Sequence, residues 1–402
     1  MKQRYDIVIA GGGMTGLTIA ALLAQGRHAD ALKLTVIDAA PRPRFDPDDD
    51  IALRVSAIAT GSAEILDSIG AWEAVVSRRA CPYEHMRVWD GADDPDGPST
   101  LRFDADEFAV PQLGFIVENV LIQDAILKVL DRTDVNLRFD TPIASISQTQ
   151  GRYRVQLEDG REMDADLLIG ADGTRSLVRE SAGIEVTRRP YAQTAFVTHL
   201  RPEQAHGATA RQRFLDDGPL GMLPLADGRI SVVWSTVDET ARQAMAASDE
   251  ELGSMLTDAS DQVLGDLVAA GPRGTFPLCA QHARNYVLPR LALIGDAAHA
   301  VHPLAGQGAN LGLADADTLS TVLEEAIKKG EHPGDRPVLR RYERARKGAN
   351  ATMLHLMTGL NQLFAAGSPT IGELRRAGMR LFNVSGPLRE RAVKVALGAG
   401  RR

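Results

Sequence analysis

The feature that most constrains this chain is a Gly-rich turn that joins an apolar strand to a helix near the start of the sequence. The run YDIVIA at residues 5–10 predicts a buried strand, and residues 14–25 have the pattern of a helix. A second short apolar strand, LTVI, covers residues 34–37 and is followed at once by Asp38. This βαβ arrangement predicts a parallel sheet with helices packed against it, and therefore an α/β fold.

The turn itself, GGGMTG, places Gly11, Gly13 and Gly16 in a GxGxxG pattern. Gly11 permits the tight turn, Gly13 leaves room for a pyrophosphate beside the backbone, and Gly16 allows close packing of helix on strand. Asp38 stands where a carboxylate would accept a hydrogen bond from a ribose hydroxyl. The pattern therefore predicts a bound dinucleotide, but it does not distinguish NAD from FAD.

Length, charge and cysteine content narrow the class of protein. The chain has 402 residues, enough for two domains, and its net charge of -8 argues against nucleic acid as a partner. Cys81 and Cys279 form neither a disulfide framework nor a metal site, so both are expected to be buried thiols in a reducing compartment. No signal peptide and no apolar run of about 20 residues is recognisable, which leads us to expect a cytoplasmic protein.

The middle of the chain has a different residue pattern. Across residues 192–235, β-rich runs such as TAFVTHL and ISVVW alternate with Gly, Pro and Asp turns, which predicts a mostly antiparallel sheet. The strand LALI at residues 291–294 then restores the α/β pattern, and the C-terminal end has helical patterns. Further helices are predicted at about residues 56–69, 119–131, 249–268 and 308–329.

Two later motifs favour FAD over NAD. The segment IGADGTR at residues 169–175 follows a strand and contains Asp172. The segment LIGDAAHAVHPLAGQGAN at residues 293–310 places Asp296 at the end of a buried strand, ahead of a second Gly-rich turn and a helix. An extended flavin dinucleotide needs such a second segment, because an acid can hold its ribityl chain and a helix N-terminus can stabilise negative charge on its ring. The alternative for Asp296 alone is a helix N-cap.

These three motifs, in this order and spacing, resemble the FAD-dependent aromatic hydroxylases of the p-hydroxybenzoate hydroxylase type. The resemblance extends over about residues 4–365 and is similar in detail to the ubiquinone-biosynthesis hydroxylase family. The segments that carry it are RVSAI (54–58), LDSIGAW (66–72), PYEHMRVWD (82–90), LGFIVENVL (113–121), QRFLDDGPLGMLPL (212–225) and YERAR (342–346).

The resemblance implies an FAD-binding Rossmann-like α/β domain, an inserted, mostly antiparallel β-sheet substrate domain and a helical C-terminus. The expected division assigns residues 1–76, 112–182 and 280–345 to the FAD-binding domain, residues 77–111 and 183–279 to the substrate domain, and residues 346–402 to the C-terminal helical segment.

Roles for individual residues follow from the resemblance at the matching positions. Gly11, Gly13 and Gly16 contact the pyrophosphate, and Asp38 binds the adenosine ribose. Arg54 and Gln123 lie along the cofactor, with Asp172 near the pyrophosphate and the path of the nicotinamide. Asp296 takes the ribityl chain, and the turn at Gly306 with Gly308 and Asn310 caps the isoalloxazine. Pro303 lies beside the ring, facing the substrate.

Two positions depart from the family pattern, and several side chains leave alternatives open. His302 replaces a second proline of the hydroxybenzoate enzymes, and Ala309 stands where a bulkier apolar residue is common. His302 is a candidate catalytic residue with Pro303, but a proton carrier and a packed histidine are equally compatible with it. Packed or structural roles are favoured for the other histidines considered, His199, His206, His282 and His299. A place in the core rather than in a substrate cavity is favoured for most of Trp234, Phe214, Leu223 and Pro224.

The resemblance implies an FAD-dependent monooxygenase that uses NADH or NADPH and O2 to hydroxylate a polyprenylated phenol in ubiquinone biosynthesis, by way of a flavin C4a-hydroperoxide. No second GxGxxG is present, so NAD(P)H is expected to dock only transiently. No arginine is assignable to a substrate carboxylate, which favours an uncharged, apolar phenol. The alternatives are a hydroxylase of a small soluble phenol in catabolism, a flavin reductase of a prenyl lipid, and a non-catalytic FAD-binding scaffold of a biosynthetic complex.

The C-terminal residues 375–402 are strongly basic, with apolar residues among the arginines. Such a composition is typical of helices that lie at a membrane surface. It is compatible with a peripheral contact with the inner membrane, or with other ubiquinone-biosynthesis proteins. The favoured alternative is a solvated helix that packs on the domain with its basic face outward.

Overall fold

The computed structural model describes residues 4–302, 306–364, 369–386, 389–390 and 393. Four sheets within these residues carry the architecture, one of them six-stranded and one eight-stranded. The α-helices that surround them are Met14–Ala24, Thr60–Ser68, Trp72–Val76, Asn119–Leu130, Leu177–Ser181, Asp238–Ala246, Asp249–Ala259, Gln307–Lys328, Arg336–Phe364 and Pro369–Val384.

The six-stranded sheet forms the centre of the α/β part. Its strands, in order across the sheet, are Val287–Leu288, Leu291–Leu293, Leu167–Gly170, Tyr5–Ala10, Leu32–Ile37 and Asn136–Arg138. Neighbouring strands are parallel except for the first pair. The central strands are apolar along nearly their whole length because both faces are buried, and residues of the first helix and of Gln307–Lys328 complete the same core.

Parallel pairing brings the three sequence motifs to one edge of this sheet. Ala10 is the register partner of Gly170, and Gly170 is the partner of Leu293. The segments that begin at Gly11, Ala171 and Ile294 therefore leave adjacent strands at their carboxyl ends. In open α/β sheets ligands bind at this edge.

The eight-stranded sheet forms the second part. Its strands, in order, are His299–Ala300, Leu267–Ala283, Val186–Pro202, Ile230–Thr236, Gly218–Pro224, Thr209–Leu215, His85–Asp90 and Leu101–Asp104. Only the pair Thr209–Leu215 and His85–Asp90 is parallel among its strand pairs in the described chain. One face is a core in which Phe196, Leu220 and Trp234 pack with residues of the helix Asp249–Ala259.

Two three-stranded sheets complete the β-structure. One contains Glu162–Ala165, Arg152–Leu157 and Ile143–Thr149, and the other contains Val55–Ala59, Gly114–Glu118 and Cys81–Tyr83. We propose the domain boundaries stated above as the division between the two large sheets and their surroundings. The helix Arg336–Phe364 continues through the boundary expected after residue 345.

The predicted bounds of two helices were wrong. The predicted helix 249–268 ends at Ala259, and a long strand begins at Leu267. Asp261 and Gln262 adopt left-handed backbone conformations, with φ of 64° and 51°, which a helix cannot continue through. The first residues of the predicted helix 56–69 instead pair with Gly114–Glu118 as a strand, and the helix begins only at Thr60.

The two cysteines differ in their surroundings. Cys81 is buried, as predicted, and burial raises the pKa of its thiol to about 11. Cys279 was predicted to be buried and is exposed. The prediction was wrong because Cys279 belongs to the part of the strand Leu267–Ala283 that lines a large cavity.

Candidate active site

A cavity of about 1910 Å³ is lined by residues of both large sheets. Pockets that bind drug-sized ligands have volumes of roughly 300–1,000 Å³, so this larger space has room for a dinucleotide together with a second molecule. Most of the residues predicted to hold the cofactor line it, namely Gly11, Gly13, Asp38, Arg54, Gln123, Asp172, Asp296, Gly306, Gly308 and Asn310.

The three glycines of the first turn have different surroundings. A Cβ on Gly11 would lie 2.2 Å from the Ala171 carbonyl oxygen, and the residue has a φ of +110°. A Cβ on Gly16 would lie 1.9 Å from the Gly11 carbonyl oxygen, and Gly16 does not line the cavity. A Cβ on Gly13 would meet no atom within 4 Å. Gly11 and Gly16 are therefore required by the fold, whereas Gly13 borders free space.

Asp38 holds the Gly-rich turn in place. Its carboxylate accepts hydrogen bonds from the backbone N–H of Gly12 at 2.5 Å and of Ala40 at 2.7 Å. Gln123 donates to the Gly12 carbonyl at 3.4 Å from the neighbouring helix. A carboxylate has more lone pairs than these two bonds use, so Asp38 can still accept a ribose hydroxyl.

Asp172 contributes a polar atom that the protein leaves unpaired. Its Oδ2 accepts the backbone N–H of Val178 at 3.1 Å. Its Oδ1 is buried and has no hydrogen-bond partner among the described residues. Burial raises the pKa of this carboxyl group above its ordinary value. Buried polar atoms are nearly always paired, so this oxygen indicates a ligand or water in the adjoining cavity.

Asp296 lies in the short turn Gly295–Ala297 and faces the cavity. Its pKa is raised because it lies deep in the molecule, and His299 and Arg54 offset part of that rise. The side chain is open to the cavity space, yet protein surrounds it on its other sides. Asp296 lies inside the short turn, whose N-cap is Ile294, and the N-cap of the long helix is Gly306, so the N-cap alternative is not found in the described chain.

The second Gly-rich turn begins this 22-residue helix. Gly306 has a φ of +62°, and a Cβ there would lie 2.8 Å from the Ala57 side chain. Asn310 accepts the Ala59 N–H at 2.9 Å and donates to the Ala57 carbonyl at 2.8 Å. A Cβ on Gly308 would meet nothing within 4 Å. The N-terminal turn of this helix therefore borders the cavity, where the positive end of the helix dipole favours negative charge.

The arrangement fits FAD. It offers two glycines whose missing side chains leave free space, a buried oxygen with no partner among the described residues, and a helix N-terminus, all on one cavity. When bound there, FAD supplies the redox chemistry, while the protein orients the molecule and shields it from water. Among the described residues, no group of three or more His, Cys, Asp or Glu is placed to hold a metal ion.

Of the two residues predicted to be catalytic, His302 is among the described residues and Pro303 is not. His302 is buried, with its Nε2 3.3 Å from the Gln193 Oε1 and its ring against Tyr191, and it does not line the cavity. Burial lowers the pKa of His302 to about 4, so the ring is neutral at pH 7. Its role as a proton carrier stays a prediction.

One whole face of the eight-stranded sheet forms the opposite wall of the cavity. It includes Ala195, Val197, Ala210, Gln212, Gly221, Leu223, Ser231 and Val233. Of the four side chains considered for this role from the sequence, only Leu223 lines the cavity. Trp234 and Phe214 belong to packed clusters instead, and Pro224 is not among the lining residues.

Sequence reasoning missed most of this wall. The alternation in the strand Ile230–Thr236 was a usable signal, because Ser231 and Val233 alternate with the core residues Ile230, Val232 and Trp234. Which face bordered a ligand could not be told, since that depends on the packing of the other sheet.

Comparisons with known proteins bear on the ligand and the reaction. A family model described as an FAD binding domain matches residues 4–356. The 3-demethoxyubiquinol 3-hydroxylase of Escherichia coli (strain K12) is 36% identical, over 99% of this chain and 99% of that protein. The ubiquinone biosynthesis monooxygenase COQ6 of Xenopus tropicalis is 34% identical, over 98% and 93%. This chain belongs to the FAD-dependent hydroxylases of ubiquinone biosynthesis.

The fold of this family agrees with solved structures. P. aeruginosa PqsL in complex with 2-aminobenzoylacetate has a TM-score of 0.77 and 23% identity, over 94% of this chain and 99% of that one. The prediction of an α/β FAD-binding fold with an antiparallel substrate sheet and a helical C-terminus is confirmed. The prediction of an FAD-dependent monooxygenase is confirmed as well.

Replacing Asp296 by alanine is expected to weaken FAD binding with little loss of stability. A charge-assisted hydrogen bond contributes about 1.5–3 kcal/mol, which corresponds to roughly ten-fold or more in affinity. The N-cap of the long helix is Gly306 and that of the short turn is Ile294, so removal of the Asp296 carboxylate leaves both of these N-cap residues in place. Fluorescence titration of apo-protein with FAD measures the effect, with Asp134→Ala at an exposed site as control. Equal affinities would show that Asp296 does not contact the cofactor.

Proposed function

We propose that this enzyme hydroxylates the aromatic ring of a polyprenylated phenol in ubiquinone biosynthesis, using O2 and NADH or NADPH. The observation that carries the proposal is the sheet wall that faces the cofactor residues across one cavity. Most of its side chains are small or apolar, and its polar members include Gln212, Ser231, Ser235, Arg188 and Gln281. Such a wall accommodates a flat, uncharged ring and excludes water from it. The similarity to a 3-demethoxyubiquinol 3-hydroxylase and to a ubiquinone biosynthesis monooxygenase supports the same substrate class.

An apolar extension of the cavity is suited to the prenyl tail. Tyr83, Met86, Phe103 and Leu113 line the cavity and pack in one cluster. Each CH2 buried there contributes up to about 0.8 kcal/mol. We propose that the tail lies along this cluster, which leaves the ring near the turn that carries Asp296.

Arginines also line the cavity, and three of them, Arg54, Arg188 and Arg211, make contacts within the protein. Arg211 lines the cavity, but it donates to the carbonyls of His206 and Thr209 at 2.9 and 3.3 Å. Arg54 lies over the Phe276 ring, 5.4 Å from its centroid. The buried hydroxyl of Ser231 lies on the cavity wall and has no hydrogen-bond partner among the described residues, which supports a contact with a phenol hydroxyl.

Product analysis tests the proposal. The purified FAD enzyme is supplied with NAD(P)H and phenols that carry prenyl tails of increasing length, and a hydroxylated product is expected. In a deletion strain without a redundant hydroxylase, ubiquinone is expected to fall and an under-hydroxylated prenylphenol to accumulate. Normal ubiquinone in that strain, with fast turnover of small soluble phenols, would contradict the assignment in favour of catabolism. Bound FAD without any hydroxylation would favour the scaffold.

We also propose that the C-terminal region contacts the membrane, and that apolar residues make the contact. No helix in the described part of the chain combines the length and hydropathy needed to cross a bilayer. On the helix Pro369–Val384, the side chains of Leu374, Leu381 and Val384 are 73%, 69% and 78% exposed. Their spacing places them on one face. Such a surface supports insertion at a lipid–water boundary.

Three arginines of this region point toward the rest of the protein, whereas the alternative stated above expected a basic face directed outward. Arg375 pairs with Asp90, Arg376 with Asp93, and Arg389 with Glu107. That alternative was wrong for these three arginines, because acidic groups of the substrate sheet region attract them inward. Deleting residues 375–402 would also remove Met379 from a buried cluster. Point substitutions therefore give a clearer test than truncation.

The triple variant Leu374→Ser, Leu381→Ser and Val384→Ser is expected to lose vesicle binding by ten-fold or more. Burial of each apolar side chain contributes about 1.5–3 kcal/mol before ordering costs. Co-sedimentation with neutral and with anionic vesicles measures the binding. A triple serine variant at Val237, Met245 and Val268, which are exposed elsewhere, is the control. Equal sedimentation of the two variants would rule out this face as the contact, and binding confined to anionic vesicles in both would assign it to charge.

A further inference from the structure

A buried ion cluster lies directly behind the turn that carries Asp296. Its centre is Asp315, on the long helix Gln307–Lys328, which is wholly inaccessible to solvent. One carboxylate oxygen accepts the backbone N–H of Gly295 at 3.1 Å and lies 2.5 Å from the His299 Nε2. The other accepts Arg346 Nε at 2.7 Å and Asn350 Nδ2 at 3.1 Å.

The groups around Asp315 keep its carboxylate ionised. Burial alone would raise the pKa of Asp315, but His299 and Arg346 together lower it to about 2. A buried carboxylate with this many donors fixes the groups around it, because breaking one bond leaves a buried polar atom unpaired. Asp315 is thus a rigid anchor rather than a titrating group at neutral pH.

The contacts of Asp315 with Gly295 and His299 hold the chain on both sides of Asp296. Gly295 precedes Asp296, and His299 follows it after two alanines, so the turn is held at its start and beyond its end. Gly295 also packs against the first Gly-rich turn, since a Cβ there would lie 3.1 Å from the Thr15 hydroxyl oxygen. The two cofactor-binding segments therefore meet at this point.

We propose that Asp315 and Arg346 are positioning residues, which orient the Asp296 carboxylate toward the cofactor through the Gly295–Ala297 turn. Neither residue lines the cavity, so any effect on the cofactor passes through the turn. Arg346 belongs to the helix Arg336–Phe364, whose Asn361 donates to Gln193 of the eight-stranded sheet at 3.2 Å. Asp315 and Arg346 thus join the cofactor turn to a helix that also contacts the eight-stranded sheet.

A double-mutant cycle on FAD affinity tests this. Asp315→Asn is expected to weaken FAD binding by roughly ten-fold or more in the wild-type background. In the Asp296→Ala background the same change is expected to have little further effect, because the residue it orients is gone. The circular dichroism of bound FAD in its visible bands is expected to change in Asp315→Asn, since it reports the setting of the ring.

A control separates positioning from general stability. Tyr342→Phe removes an equally buried hydrogen bond, from the hydroxyl to the Leu293 carbonyl at 2.8 Å, without touching the turn. It is expected to lower the unfolding temperature of the apo-protein and to leave FAD affinity unchanged. If Asp315→Asn does not fold, His299→Leu gives the same cycle, because it keeps the pair of Asp315 and Arg346. Additive losses of affinity in the two backgrounds, or an unchanged affinity in folded protein, overturn the proposal.

Discussion

Replacing Gly13 by leucine is expected to abolish FAD binding while the protein remains folded. The Gly13 backbone has φ -73° and ψ 177°, which any residue adopts, and its Cβ would meet no protein atom within 4 Å. The added side chain would instead project into the space predicted for the pyrophosphate, at the N-terminus of the helix Met14–Ala24. The loss is expected to reach at least a thousand-fold in affinity, about 4 kcal/mol.

Absorbance of the purified protein and titration with FAD measure this effect. Gly16→Ala is the informative comparison, because its Cβ would lie 1.9 Å from the Gly11 carbonyl oxygen. That smaller substitution is expected to damage the fold itself, so it lowers the unfolding temperature of the apo-protein where Gly13→Leu does not. A yellow, fully loaded Gly13→Leu protein would contradict the placement of the cofactor along the first turn.

The difference between these glycines illustrates what the sequence can predict. The motif gives the positions of Gly11, Gly13 and Gly16 because each serves one local turn, and local turns depend on neighbouring residues. The strand ends that bear Asp172 and Asp296 were recognised for the same reason, since each directly follows an apolar run. Their meeting at one sheet edge follows from parallel strand pairing.

The substrate wall lay beyond such local reasoning. Gln212 borders the cavity beside Gly221 and Val233, which are its neighbours across two strand pairs. Their sequence shows alternation, but the order of the strands and the face they present are set by packing between sheets. Cys279 was misjudged for this reason, since its exposure results from the cavity and not from its neighbours in sequence.

The ion cluster behind Asp296 could not be predicted from the sequence, for a related reason. Asp315 and Arg346 are separated by 31 residues and lie on two helices whose contact is tertiary. Taken alone, each is an ordinary charged residue in a helical pattern. Only their burial together reveals the cluster, because charged side chains are rarely buried unless they are paired.

Replacing Gly221 by phenylalanine is expected to block the substrate and spare the cofactor. Gly221 lies in the middle of the sheet wall, and its Cβ would have only one close neighbour, the Val233 carbonyl oxygen at 3.6 Å. The fold therefore has room for the first atom of the phenylalanine side chain. Its ring would project into the cavity on the same face as the side chains of Gln212 and Val233, where the substrate is expected to bind. Displacement of a reacting ring by even about 1 Å can lower turnover roughly a hundred-fold.

Stimulated NAD(P)H oxidation, with a phenol that carries a prenyl tail, measures this loss. The wild-type enzyme is expected to respond more strongly as the tail lengthens, because each additional buried CH2 strengthens binding by up to about 0.8 kcal/mol. Gly221→Phe is expected to lose that response and to keep its FAD, whereas Gly348→Phe, on an exposed helical position, is expected to keep both. A Gly221→Phe enzyme that still responds fully to long-tailed phenols would place the substrate elsewhere. Loss of FAD in the same variant would instead show that the wall supports the cofactor, since no residue of the cofactor turns is altered.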